Sequence, residues 1–254
     1  MIQVNGISKR FGDKVAVDNV SMNLAPGSIV GFVGPNGAGK STSLKIMTGI
    51  LAPDSGSVAI NGYDIQHDSL AAKQEFAYIS DDPDKFLALK GTEYVQFICD
   101  IYGVPEEERA PRLARLLDEF EMGDDVASRI ETYSHGMRQK IHIIASLMHE
   151  PKIWIMDEPM TGLDPQSSFL LKQKMMQHAA EGNTVLFSTH VLEVAEKLCD
   201  EINIINKGRL IYTGTLEALK HQYPEKTLEE IFLTATESRY LNADLEGNEA
   251  TYEK

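Results

Sequence analysis

Gly34-Pro35-Asn36-Gly37-Ala38-Gly39-Lys40-Ser41 has the spacing of a phosphate-binding loop, G-x-x-x-x-G-K-[ST], and Thr42 follows it. Glycines let such a backbone curl until successive N–H groups point inward at phosphate oxygens. The Lys40 ammonium can then reach the β- and γ-phosphates of a nucleotide, and the Ser41 hydroxyl can ligate Mg²⁺. The chemistry needs a strand before the loop and a helix after it, whose positive N-terminal end faces the anion. Residues 28–33 read as a buried strand and 40–49 as that helix, so both supports are expected.

A second chemical cluster lies downstream. Ile153-Trp154-Ile155-Met156 runs directly into Asp157-Glu158-Pro159. A buried strand ending in an acid delivers a carboxylate to the ligand-binding edge of a parallel sheet. Asp157 would hold Mg²⁺ through water, and Glu158 would act as general base on an attacking water. An isolated Asp-Glu pair is ordinarily a solvated loop end; the apolar strand and the upstream loop favour chemistry here. Thr189-His190 follows a strand expected at 184–188, where His190 could donate a hydrogen bond to a γ-phosphate. A lone histidine carries no such meaning, but the order of loop, acidic pair and strand-end histidine does.

The elements around these clusters alternate. Short β-branched runs at 57–60, 76–80, 153–156, 184–188 and 202–206 read as strands of a mostly parallel α/β sheet. The character changes over 84–150, where 92–102, 105–121 and 136–149 carry apolar residues at helical spacing, with Pro105 suited to a first turn. That interval is expected to be a helical subdomain inserted between core segments 1–83 and 151–236. Residues 237–254 form a polar, acidic tail expected to be frayed.

Composition narrows the function. The 254 residues are 43% hydrophobic and 24% charged, as in a globular protein, and the net charge of −14 opposes general nucleic-acid binding. No apolar run approaches the roughly 18 residues that span a bilayer. Residues 1–11 lack the apolar stretch of a signal peptide. A cytoplasmic location is expected, with any membrane work done through a partner. Cys99 and Cys199 form no C-x-x-C and read as reduced core thiols.

Tyr133-Ser134-His135-Gly136-Met137-Arg138-Gln139-Lys140 resembles the signature of ABC ATPases, usually written LSGGQ. With Thr161-Gly162-Leu163-Asp164 after the acidic pair, it makes residues 2–212 resemble ABC transporter nucleotide-binding subunits. The resemblance implies an α/β P-loop NTPase fold, the ABC ATPase domain: a RecA-like core, an N-terminal antiparallel β portion and an inserted helical subdomain. It implies ATP and Mg²⁺ as cofactors. Ser134 and the Gly136 N–H, flanked by His135 and Met137, would contact the γ-phosphate of ATP held by a second ATPase subunit, identical or different. Phe11 of Phe11-Gly12 would stack on adenine, unless it is a packing phenylalanine. Asp81, with Asp82 as the register alternative, stands where the Q-loop glutamine is usual and could ligate Mg²⁺ or water. Asp164 matches the D-loop aspartate, a dimer contact.

His135 and Met137 depart from the signature's first glycine and glutamine; Ser134, Gly136 and Glu158 remain. His135 would either crowd the nucleotide face and weaken that contact, add a hydrogen bond to ribose or phosphate, or point aside. The details resemble ABC-2 type exporters, which implies a membrane-spanning permease subunit and a peripheral position on the inner face of the membrane. The alternative is a soluble ABC ATPase of translation or DNA maintenance. Such relatives carry two cassettes or long coiled-coil insertions, whereas the interval from Lys40 to Ser134 is compact. Between Pro83 and Gly91, Phe86, Leu87 and Leu89 either pack beneath the helices or line a groove for a helix of the permease.

Overall fold

The computed structural model describes residues 1–224 and 226–237. The chain begins with β1 (Ile2–Phe11), β2 (Lys14–Leu24), β3 (Ile29–Val33), α1 (Lys40–Met47), β4 (Ser55–Ile60), β5 (Tyr63–Asp64), α2 (Ser69–Gln74) and β6 (Phe76–Ile79). The helical interval follows with α3 (Gly91–Tyr102), α4 (Glu106–Glu119) and α5 (His135–Leu147). The chain returns through β7 (Ile153–Met156), α6 (Pro165–Ala180), β8 (Thr184–Thr189), α7 (Leu192–Leu198) and β9 (Glu201–Asn206). It continues as β10 (Arg209–Thr215), α8 (Leu216–Gln222) and α9 (Leu228–Glu237).

Strands β3, β7 and β8 are buried at every position, as strands covered on both faces must be. They lie in a six-stranded sheet of order β10-β9-β3-β8-β7-β6, parallel except for the β9–β10 hairpin. The order sets the chemistry: β8 runs between β3, which leads into the phosphate loop, and β7, which leads into the acidic pair. A second, antiparallel sheet has the order β2-β1-β4-β5.

One apolar cluster joins the two sheets across α1, with Ile2, Val4, Leu44, Met47, Phe32 and Ile155 among its fully or nearly fully buried members. The opposite face of the parallel sheet, including Trp154 and Phe187, packs on α6 and on the helical interval in a single second cluster. Tyr94, Leu116, Ile141 and Ile144 belong to it, so residues 84–150 share a core with the sheet. Within that interval the described backbone is helical apart from loops and an isolated bridge between Lys90 and Arg129.

Two expectations need correction. The run at 57–60 belongs to β4 in the antiparallel sheet, where Val58 pairs with Val4. Burial periodicity reports which face is covered, not which strand lies alongside. The missed signal was Asn61-Gly62, both at positive φ, a two-residue turn that folds β5 back on β4. Pro105 is the N-cap of α4 rather than a residue of its first turn. Among the described residues no helix is long and apolar enough to cross a membrane. Of the acidic tail, Glu237 ends α9, and residues 238–254 lie outside the described residues.

Candidate nucleotide site

The loop between β3 and α1 can only be built with glycine at key points. Gly37 and Gly39 stand at φ +79° and +111°, where L side chains are strained. A Cβ on Gly39 would meet the Ala16 carbonyl oxygen at 2.5 Å, and one on Gly34 would overlap the Ile205 carbonyl. Lys40, in the first turn of α1, is only 6% exposed. Its Nζ donates to the Gly34 carbonyl at 2.7 Å and the Pro35 carbonyl at 3.3 Å, and lies 3.4 Å from Glu158 Oε1.

The acidic pair stands opposite. Asp157 is fully buried just past β7; its Oδ1 accepts from the Ser188 hydroxyl at 2.5 Å, while Oδ2 has no hydrogen-bond partner. Burial pushes its pKa above the usual carboxylate value, aided by the charges of Asp81 and Glu158; the Ser188 and Ser41 hydroxyls pull the other way. Glu158 has φ +48°, and its N–H donates to Ser188 Oγ at 2.9 Å. Its Oε2 lies 3.0 Å from His190 Nδ1. The Asp157 carboxylate, with the Ser41 hydroxyl and the Asp81 carboxylate near enough to act on it, is a set of hard oxygen donors. That set suits Mg²⁺.

An open cleft is lined by Phe11, Lys14, Gly37, Ser41, Asp81 and Glu158 among others. Phe11 is 51% exposed at this cleft rather than packed in the core. Asp81 faces the cleft, with Lys45 Nζ 4.0 Å from its Oδ1, whereas Asp82 lines the neighbouring groove with Phe86. The structure thus brings together Phe11, residues 34–42, Asp81, Asp157, Glu158 and His190.

It does not bring Ser134, His135, Gly136 or Met137 to the same cleft. Ser134 caps α5, its Oγ accepting from Met137 N–H at 3.2 Å. The His135 imidazole lies against Gly162, where any Cβ would overlap the ring, so it points aside onto the chain's own D-loop. Gly136 backs onto the Gly162 carbonyl, 2.8 Å from where its Cβ would be. Lys140 Nζ reaches Asp164 Oδ2 at 3.2 Å, and Gln139 Nε2 donates to the Pro159 carbonyl at 3.0 Å. Asp164 itself caps α6: its carboxylate accepts from the Ser167 hydroxyl at 2.6 Å and the Ser167 N–H at 2.8 Å. Those bonds, with Lys140, hold its carboxyl well below the usual range.

Sequence reasoning did not single out Ser188, Lys14 or Lys45. For Ser188 the available signal was a hydroxyl near the end of a strand that must sit beside the acidic pair.

A sequence profile of the ABC transporter family matches residues 17–161. The chain belongs to the ABC transporter family. It is 34% identical over 243 residues to the linearmycin resistance ATP-binding protein LnrL of Bacillus subtilis (strain 168), covering 96% of this chain and 78% of that one. It is 32% identical over 219 residues to the daunorubicin resistance ATP-binding protein DrrA3 of Streptomyces coeruleorubidus, covering 86% and 69%. A solved structure of the ATP binding subunit of an ABC transporter superposes with a TM-score of 0.88 at 33% identity, covering 93% of this chain and 99% of that chain. The fold is therefore the ABC ATPase fold expected from the motifs, with its antiparallel and mostly parallel sheets. As an ABC cassette, the chain is an ATP-binding ATPase subunit.

Proposed function

We propose that this subunit powers an exporter, binding ATP with Mg²⁺ and working as one of two cassettes beneath a membrane-spanning permease on the cytoplasmic face. The observation that carries the catalytic reading is the convergence of Lys40, Ser41, Asp157, Glu158 and His190 at one sheet edge. The relatives named for linearmycin and daunorubicin resistance support the export direction. Nothing in the charge of −14 or in these transporter relatives favours a soluble cassette of translation or DNA maintenance.

The loop N–H groups of residues 34–42 cradle the phosphates, and Lys40 turns from its carbonyls to the β- and γ-phosphates. Ser41 and Asp157, with Asp81 at the rim, would hold Mg²⁺, and the ion would supply positive charge to neutralise what builds on the phosphate oxygens. Glu158 takes the proton of the attacking water as its oxygen bonds to the γ-phosphorus and the bond to the β–γ bridging oxygen breaks. His190 orients Glu158 and the γ-phosphate. Mg²⁺-dependent phosphate release from ATP by the purified chain, alone and with its permease, is the test; no release in either state would overturn the reading.

Phe11 supplies the base platform. Phe11→Ala is expected to weaken ATP binding by about 1–3 kcal/mol, the usual scale of base stacking, with similar losses for GTP. Titration of a fluorescent nucleotide measures this, and an unchanged dissociation constant would remove Phe11 from the site.

The permease contact is proposed for the groove lined by Ile50, Asp82, Phe86, Tyr94, Tyr102 and His149. The expected trio divides here. Phe86 stands at φ +58°, 43% exposed, with its ring stacked 4.9 Å from Tyr94, while Leu87 and Leu89 are half-buried and pack against the core. Phe86→Ser should therefore leave folding and basal hydrolysis intact and reduce co-purification with the permease about tenfold or more, as for an interface anchor. Leu87→Ser should instead lower the melting temperature. Normal assembly of the Phe86 variant would put the docking surface elsewhere.

A further inference from the structure

Glu158 occupies a left-handed backbone conformation that a side-chain-bearing residue keeps only when its surroundings hold it there. Its carbonyl accepts from the Thr161 N–H at 3.1 Å, and its N–H is held by one hydroxyl. Ser188 is fully buried and belongs to β8, the strand between the phosphate-loop strand and the acidic strand. In the ladder it pairs with Phe32 on one side, and on the other side Met156 pairs with Phe187, so Asp157 and Ser188 emerge next to each other. Ser188 Oγ accepts from Glu158 N–H at 2.9 Å and donates to Asp157 Oδ1 at 2.5 Å. A single hydroxyl thus spends its donor on one acid and an acceptor lone pair on the backbone of the next.

Building on the ATPase reading, we propose that Ser188 is a positioning residue for both carboxylates. By occupying Oδ1 it fixes the Asp157 rotamer and leaves Oδ2, the oxygen without a partner, to face the metal and its water. By holding the Glu158 N–H it fixes the turn that aims that carboxylate between Lys40, 3.4 Å from Oε1, and His190, 3.0 Å from Oε2. Removing the hydroxyl leaves a buried N–H and a buried carboxylate oxygen without this partner, and both acids gain freedom to turn. Supporting groups of this kind typically contribute 10- to 100-fold in metal affinity or activity. A hydroxyl that merely stiffened the strand end would affect melting but not the metal.

The test compares Ser188→Ala, Ser188→Cys and Ser188→Thr in the full chain. Binding of a fluorescent ATP analogue is titrated with Mg²⁺ and repeated in EDTA, alongside kcat, KM and the melting temperature. In Ser188→Ala the Mg²⁺ concentration for half-maximal tight binding should rise about tenfold, and kcat should fall about tenfold or more. Affinity in EDTA and KM should stay within about twofold, because the phosphate loop is untouched, and Ser188→Thr, which keeps the hydroxyl, should recover most of both losses. An alanine variant with wild-type Mg²⁺ dependence and kcat, even if it melts lower, overturns the proposal. Should the alanine protein fail to fold, the cysteine variant, close to serine in size but a weak donor, decides it on the same readouts. The wild-type titration separates the two levels. Absence of Mg²⁺-dependent nucleotide binding there refutes the ATPase reading, whereas a normal wild type beside an unaffected alanine variant refutes only the role of Ser188.

Discussion

Glu158→Gln should retain ATP and lose hydrolysis by about 10²-fold or more, the scale of a lost general base. The substitution keeps the side chain's size and a hydrogen-bonding partner for His190 Nδ1 at 3.0 Å. It removes the proton acceptor and, with it, the negative charge 3.4 Å from Lys40. An incoming γ-phosphate then no longer meets a carboxylate beside the ammonium that binds it, so affinity should hold or rise. Lys40→Ala should behave oppositely. Its ammonium is the buried cation inside the loop, already oriented by the Gly34 and Pro35 carbonyls, and its loss should weaken nucleotide binding itself. Phosphate-release rates and nucleotide dissociation constants, measured on both variants, distinguish the roles. Near wild-type turnover in the Glu158→Gln protein would remove Glu158 as the base.

What could be read in advance depended on whether a motif's meaning is local. Residues 34–41 declare themselves because the loop's geometry forces glycine at Gly34, Gly37 and Gly39 and a cation after them. The helices of the 84–150 interval were legible to within two residues at most ends, since helical spacing is long and Gly103 stops α3 in a left-handed turn. Pairing was less legible: β4 has the same apolar pattern whichever sheet takes it. The register of the Q-loop acids was open because consecutive side chains of one turn can face different cavities. Only the folded loop separates Asp81, at the nucleotide cleft, from Asp82, at the groove beside Phe86. The contact of His135 with Gly162 depends on segments brought together only by folding, and the bonds of Ser188 were hinted at by no more than a hydroxyl near a strand end.

The same placement argues for a second cassette. The 13-residue helix α5 starts just after its cap Ser134, with Ser134 and His135 exposed and an N-terminus suited to an anion, yet it does not line its own chain's cleft. In its own chain it is braced instead on the D-loop through Gly162 and Asp164. We therefore propose a phosphate presented by another cassette as its ligand. The Glu158→Gln chain, of 28.2 kDa, should therefore double in mass on adding ATP and Mg²⁺, as read by light scattering. Ser134→Asp isolates the contact, because aspartate caps a helix as well as serine does but adds a negative charge where the partner's γ-phosphate would sit. Unit charges about 4 Å apart at an effective dielectric constant of about 20 repel by roughly 4 kcal/mol, about a thousandfold in association. The double variant Glu158→Gln/Ser134→Asp should bind ATP normally and stay monomeric. If it dimerises like its parent, the signature does not touch phosphate. If the Glu158→Gln parent remains monomeric with ATP at high concentration, the chain does not pair with itself, and a different cassette must supply the opposing signature.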